Sequence, residues 1–223
     1  IIDNSASMHY PEVKTQRIDA LNKIRFSAVA AAALLEILKR QRDAVGLSIY
    51  SDTYEYYAPE KGGDRHRAML LHQLEKLLTS RSRKGTETYQ YLHEIAENIH
   101  RRSFIILFTD MFQTSAKKEA LFEALRHLKY NKHEVVLFHI LDPDEIEFPF
   151  SAWTKFENLE ALGAFRTLDP ASFRVAYLDN LRQFREALKT GCQRHRIDLV
   201  PMNTSEPITD ALARCLRQRQ LAA

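Results

Sequence analysis

Five oxygen-bearing side chains stand at spacings that can build a site for a hard cation. The chain opens IIDNSASMHY, an apolar run that breaks into Asp3, Ser5 and Ser7. Their alternate spacing lets one turning loop aim all three at a common point. A second apolar run, SFIILFTD, ends in Asp110, and the loop KGTET carries Thr86 just ahead of a helix. Two carboxylates and three hydroxyls suit Mg²⁺, which takes six oxygen ligands and keeps several waters. Two carboxylates balance a divalent charge without saturating the ion, so an acid from outside can become a further ligand.

Asp3 and Asp110 can meet only if both strands end at the same edge of one sheet. The rest of the chain supplies such a sheet. Helical spacing covers residues 19–40, 65–78, 88–102, 115–130, 172–195 and 206–220, with Ser115 as an N-cap for the fourth of these helices. The first helix turns apolar nearly all round from Ala28 to Leu38, which predicts burial against the sheet and its neighbours. VGLSIYSDTYEYYAP reads as a hairpin turning at Ser51 and Asp52, with Tyr54, Tyr56 and Tyr57 as packing or edge residues. SFIILFTD and HEVVLFHIL are continuous apolar runs of the kind that form central parallel strands covered on both faces. IDLVPM is a further short strand, and residues 143–172 lack helical period and read as an insertion with short edge strands around Gly163.

Alternating strands and helices imply right-handed crossovers. The expected fold is therefore α/β: three layers, Rossmann-like, with a mostly parallel sheet, helices on both faces and one antiparallel edge hairpin. In such a sheet ligands bind beyond the carboxyl ends of the strands, where strand order reverses. Residues 1–223 read as one domain. Because the chain opens inside a strand, further residues are expected before Ile1.

Composition narrows the function classes. The 223 residues are 45% hydrophobic and 27% charged, an ordinary globular balance. A net charge of +3 and a pI near 8.8 are too mild to imply nucleic acid, and the basic residues form no stripe with interleaved aromatics. No run approaches the roughly 18 apolar residues of a membrane span. Cys192 and Cys215 stand in no C-x-x-C pair, which leaves two reduced thiols in a cytoplasmic protein as the expectation.

The motifs together resemble a known family. D-x-S-x-S ending the first strand, a downstream G-T-x-T loop and a strand-end T-D are similar to the von Willebrand factor A domain and its metal-ion-dependent adhesion site. Carried over residue by residue, the resemblance implies metal binding through Asp3, Ser5, Ser7, Thr86 and Asp110, with Thr88 as a substitute for Thr86. In that family the serines and threonine bind directly and the aspartates directly or through water. DNSASM, RDAVGLSIYSD, RRSFIILFTDMF and HEVVLFHILDPDEIEFPF further resemble an uncharacterised bacterial group of such proteins, catalogued as domain of unknown function fifty-eight. That resemblance covers nearly the whole chain. It implies a partnership with AAA+ ATPases of the MoxR type and binding rather than catalysis.

Other residues are weighed beside these. Asp142, Asp144 and Glu145 can join an acidic rim, though turn initiation at Asp142-Pro143 explains them as well. His93 and Glu97 share a helix face at i, i+4 without an H-E-x-x-H motif and read as solvated. The basic run from Arg81 to Lys84 can steer an acidic partner toward the metal.

The leading function is thus a Mg²⁺-dependent protein-interaction module, with Mn²⁺ or Ca²⁺ as alternatives, that accepts a partner's carboxylate. The alternative is a metal-dependent phosphoryl-transfer hydrolase or nuclease. Against it, the strand end reads D-N-S rather than D-x-D, and neither a phosphate-binding Gly loop nor a G-x-S-x-G elbow occurs. Plain scaffolding with an empty or structural metal site is the third reading.

Overall fold

The computed structural model describes residues 1–12, 21–80, 88–100, 102–111, 118–130, 132–157, 159 and 165–222. Eight strands and seven α-helices are interspersed along these segments, with a 3₁₀ turn at Ala6–His9. The strands are β1 (Ile2–Asp3), β2 (Val45–Tyr50), β3 (Tyr54–Lys61), β4 (Phe104–Thr109), β5 (Glu134–Leu141), β6 (Thr154–Glu157), β7 (Phe165–Leu168) and β8 (Asp198–Asn203). The helices are α1 (Lys23–Gln41), α2 (Asp64–Thr79), α3 (Thr88–Asn98), α4 (Lys118–Tyr130), α5 (Pro143–Glu147), α6 (Pro170–Arg194) and α7 (Ile208–Ala222).

Six strands form one sheet in the order β3-β2-β1-β4-β5-β8, parallel except for the antiparallel β2–β3 hairpin at one edge. Strand β1 is central. From it the chain builds outward through β2 and β3 on one side, then returns and builds through β4, β5 and β8 on the other. Strand order therefore reverses between β1 and β4, which puts a topological switch point at their carboxyl ends.

The two-residue side-chain period of a strand divides the core between the two faces of this sheet. Phe108, Val136, Phe138 and Ile140 point one way and pack with Ile24, Phe26, Leu70, Leu74 and Leu212, from α1, α2 and α7. Ile105, Leu107, Val135 and Leu137 point the other way and pack with Leu92, Ile95, Leu121, Leu125 and Leu188, from α3, α4 and α6. Each fully buried Leu, Ile or Phe contributes about 1.5–3 kcal/mol of transfer free energy. Covering both faces explains why β4 and β5 are apolar without alternation.

Helix α1 begins where Asn22 accepts a hydrogen bond from the Arg25 amide and ends where Arg42 turns left-handed, φ 59°. Such caps satisfy amides and carbonyls that the helix itself leaves open.

The insertion differs from expectation in two ways. Residues 143–147 form the short helix α5, because Asp142 caps it and Pro143 occupies its first turn, with Glu145 closing a reciprocal capping box. Five residues are too few to display a helical period. Strands β6 and β7 pair only with each other, as a separate antiparallel sheet rather than an edge of the main one. Phe156 of this hairpin stacks on Phe148, which also packs on Phe150 and Tyr177. Gly163 and Ser115 lie outside the described residues.

Candidate metal centre at the switch point

Register determines which residues meet. Ile2 pairs with Phe108, so Asp3 lies beside Thr109 and one residue short of Asp110. The Thr109 hydroxyl donates to Asp3 Oδ2 at 2.7 Å, and the Ser5 amide donates to Asp3 Oδ1 at 2.9 Å. The second contact is an Asx turn, which bends the chain sharply after the strand. A 3₁₀ turn follows. Its Met8 side chain is fully buried, and its Met8 and Tyr10 amides donate to the Ser5 and Ser7 carbonyls. The turn thus brings the Ser5 and Ser7 hydroxyls within 3.2 Å of each other.

Asp3, Ser5, Ser7 and Asp110 are all buried. Burial, with the nearby charge of Asp110, raises the Asp3 carboxyl to about 7, against the opposing effect of its hydrogen bonds from Thr109 and Ser5. Two acids are therefore held together out of water, a placement that favours a cation beside them.

Asp110 also meets a group that the sequence reading missed. Lys23 Nζ lies 2.8 Å from Asp110 Oδ2 and 2.6 Å from Glu145 Oε1, and the lysine is 0% exposed. Burial opposes its charge, but the two carboxylates outweigh that and raise the lysine above its ordinary value. Glu145 in turn accepts from the Asp142 amide through Oε2, so the α5 capping box aims its other oxygen at Lys23. Burial raises the Glu145 carboxyl, partly offset by Lys23. Of the acids weighed as a rim, Glu145 joins the site indirectly. Asp142 caps α5 and accepts from Thr204, and Asp144 accepts from Tyr10.

Both imidazoles nearby are engaged. His139 is wholly buried on β5 and faces the Asp110 carbonyl at 3.0 Å; a carbonyl can only accept, so Nε2 carries the proton. Burial lowers this imidazole to about 4. His9 Nε2 lies 2.9 Å from the Asn4 carboxamide oxygen, while Asn4 donates to Glu55. Farther off, His93 is not simply solvated: its Nδ1 lies 2.8 Å from His127 Nδ1, between α3 and α4.

The structure thus gathers Asp3, Ser5, Ser7 and Asp110 at the switch point. Thr86 and the basic run from Arg81 to Lys84 lie outside the described residues, as does the side chain of Thr88. Among the described residues no three His, Cys, Asp or Glu side chains group as a metal cage. A cage of two carboxylates and several hydroxyls is of another kind, and its chemistry fits Mg²⁺. Adjacent oxygens of an octahedron with 2.0–2.1 Å bonds are about 2.9 Å apart, close to the serine separation here. Charge differs from expectation: Asp110 already shares a lysine, so the two aspartates do not face a cation alone.

Comparisons with known proteins bear on the fold and the family. The crystal structure of the conserved hypothetical protein BatB from Bacteroides thetaiotaomicron is similar in fold, with a TM-score of 0.56 at 14% identity, covering 99% of this chain and 96% of that one. At that identity the likeness concerns the fold alone. No curated protein matches the chain. The family described as Protein of unknown function DUF58 matches residues 1–196. That match spans most of the sequence, and the chain belongs to this family.

Proposed function

We propose that the chain is a von Willebrand factor A-like module that binds a protein partner through a divalent metal ion. Asp3, Ser5, Ser7 and Asp110 would hold Mg²⁺ together with Thr86, and Mn²⁺ or Ca²⁺ are chemically able to substitute. Bound there, the ion supplies an open coordination position for an oxygen of a partner's carboxylate. The observation that carries the reading is the juxtaposition of two buried acids and two hydroxyls at the sheet's switch point, with the hydroxyls 3.2 Å apart.

The chain's own residues do the positioning. Thr109 and the Ser5 amide hold both oxygens of Asp3, which favours contact through water over direct ligation. Ser5 and Ser7 stand on a turn pinned by Met8, so their hydroxyls need little ordering when an ion arrives. His9 and His139 turn their Nε2 atoms to the Asn4 carboxamide oxygen and to the Asp110 carbonyl. Within the resemblance, a MoxR-type AAA+ ATPase is the partner to try first.

Affinity capture with and without Mg²⁺ tests the proposal. A partner should be retained by wild type in Mg²⁺ and lost both in chelator and with Asp3→Ala. Equal retention in all three conditions would favour plain scaffolding. Steady phosphate-ester turnover by wild type, absent from Asp3→Ala, would favour the hydrolase.

A further inference from the structure

Lys23 has no role in the reading above, yet it is the most deeply placed charge at the site. Its ammonium lies on α1, between an acid at the end of β4 and an acid on α5, at 2.8 and 2.6 Å. An ammonium is dehydrated at great cost unless its donors are matched, so this placement is sustained by both carboxylates together. Asp110 is one of the residues proposed to hold the metal; Glu145 is not. The lysine therefore spans two acids, only one of which would belong to the metal's cage.

Charge makes the arrangement specific. With all carboxylates ionised, Asp3, Asp110 and Glu145 carry three negative charges and Lys23 one positive, leaving two for a divalent cation to neutralise. Without the lysine an excess negative charge would remain. With the lysine but without Glu145, the ammonium would rest on Asp110 alone and repel the ion. Glu145 is held by the Asp142 amide at 2.8 Å, so it is a fixed second anchor for Lys23.

We infer that Lys23 is a gate cation: shared between Asp110 and Glu145, it competes with a metal ion for Asp110 while Glu145 retains it, so the Lys23–Glu145 pair sets the metal affinity. This inference rests on the metal-binding reading and specifies how that site is tuned. A purely structural lysine, joining α1 to β4 and α5, would also be buried and paired. It differs in what it predicts for metal uptake, because losing a structural tie does not tighten an ion site.

Calorimetric titration of the purified chain with Mg²⁺ distinguishes these roles. Lys23→Met should bind the ion more tightly by about tenfold, and Glu145→Gln more weakly by about tenfold, the size of effect one neighbouring charge exerts on another. In the Lys23→Met background, Glu145→Gln should lose most of its effect, because no ammonium remains to be retained. Lys23→Met with unchanged or weaker affinity overturns the gate, as does a Glu145→Gln effect that persists in full without the lysine. Should Lys23→Met fail to fold by circular dichroism, the wild-type Lys23 ammonium decides by ¹H–¹⁵N NMR. Its signal should move with the calorimetric midpoint, and a signal indifferent to Mg²⁺ overturns the gate. If wild type takes up neither Mg²⁺ nor Mn²⁺, the metal-binding reading itself falls and the gate with it. If wild type binds and the variants do not differ from it, only the gate falls.

Discussion

Asp3 shows most plainly what a buried carboxyl beside a second acid costs the fold. Its carboxyl is raised from 3.8 to about 7, with burial the largest cause and Asp110 the next. The folded state thus binds a proton more tightly than the unfolded state. That contribution to stability is fully present below about pH 3.8 and is lost as pH rises through about 7. His9 and His139 act in the opposite sense: burial lowers both to about 4, so their contribution holds above 6.5 and is lost on acidification toward 4. Comparing Asp3→Asn with wild type in chelator isolates the aspartate from the histidines. The variant's advantage in urea unfolding should grow from pH 4 to pH 7.5, and saturating Mg²⁺ should remove that trend. A difference independent of pH would show that Asp3 is not held protonated in the metal-free fold.

The elements owe their arrangement to close approach as much as to burial. Helix α6 passes α4 at Gly191, where a built Cβ would lie only 2.1 Å from Phe122 Cε1. Alanine is the better helix former by up to about 1 kcal/mol, so propensity alone predicts that Gly191→Ala stabilises. Overpacking a close contact costs about 1–3 kcal/mol, and here it should win unless the Phe122 ring swings away. Chemical denaturation should find Gly191→Ala less stable by about 1 kcal/mol or more, and in a Phe122→Ala background the same substitution should cost less. The short helix α5 follows the same principle at its terminus. Its capping box orders Glu145, and ordering Glu145 is what presents an acid to Lys23.

At the scale of the whole molecule the sheet must end without recruiting another chain. Its edges are β3 and β8, and each contains an exposed proline, Pro59 and Pro201, whereas β1, β2, β4 and β5 contain none. Along β8 the Thr204 amide turns inward to Leu141, so strand alternation turns position 201 outward. Proline there removes a donor from the open edge. Pro201→Val should therefore raise concentration-dependent self-association in light scattering, with little change in circular dichroism; an unchanged monomer fraction would remove this role from Pro201. The sheet also separates the two cysteines. Cys192 packs in the core on one face and Cys215 in the core on the other, and both are buried. No helix among the described residues is long and apolar enough to cross a membrane.

The local sequence determined the sheet and its strand-end acids. Continuous apolar runs that stop at Asp3 and Asp110 need no knowledge of the fold to be read as central strands, and alternating helices imply parallel pairing. The β2–β3 hairpin was legible for the same reason, since strand period and turn chemistry are local. Helix α5 carried a local signal too, an acid three residues before Glu145 with proline between them, but it was too short to show a period. Lys23 could not be read this way. Beside Arg25 at a helix start it looks like a solvated charge, and its partners are 87 and 122 residues away. Only the strand register and the packing of α1 against the ends of β4 and α5 bring those charges together, because water is excluded there and long-range pairing is what makes a buried ammonium tolerable.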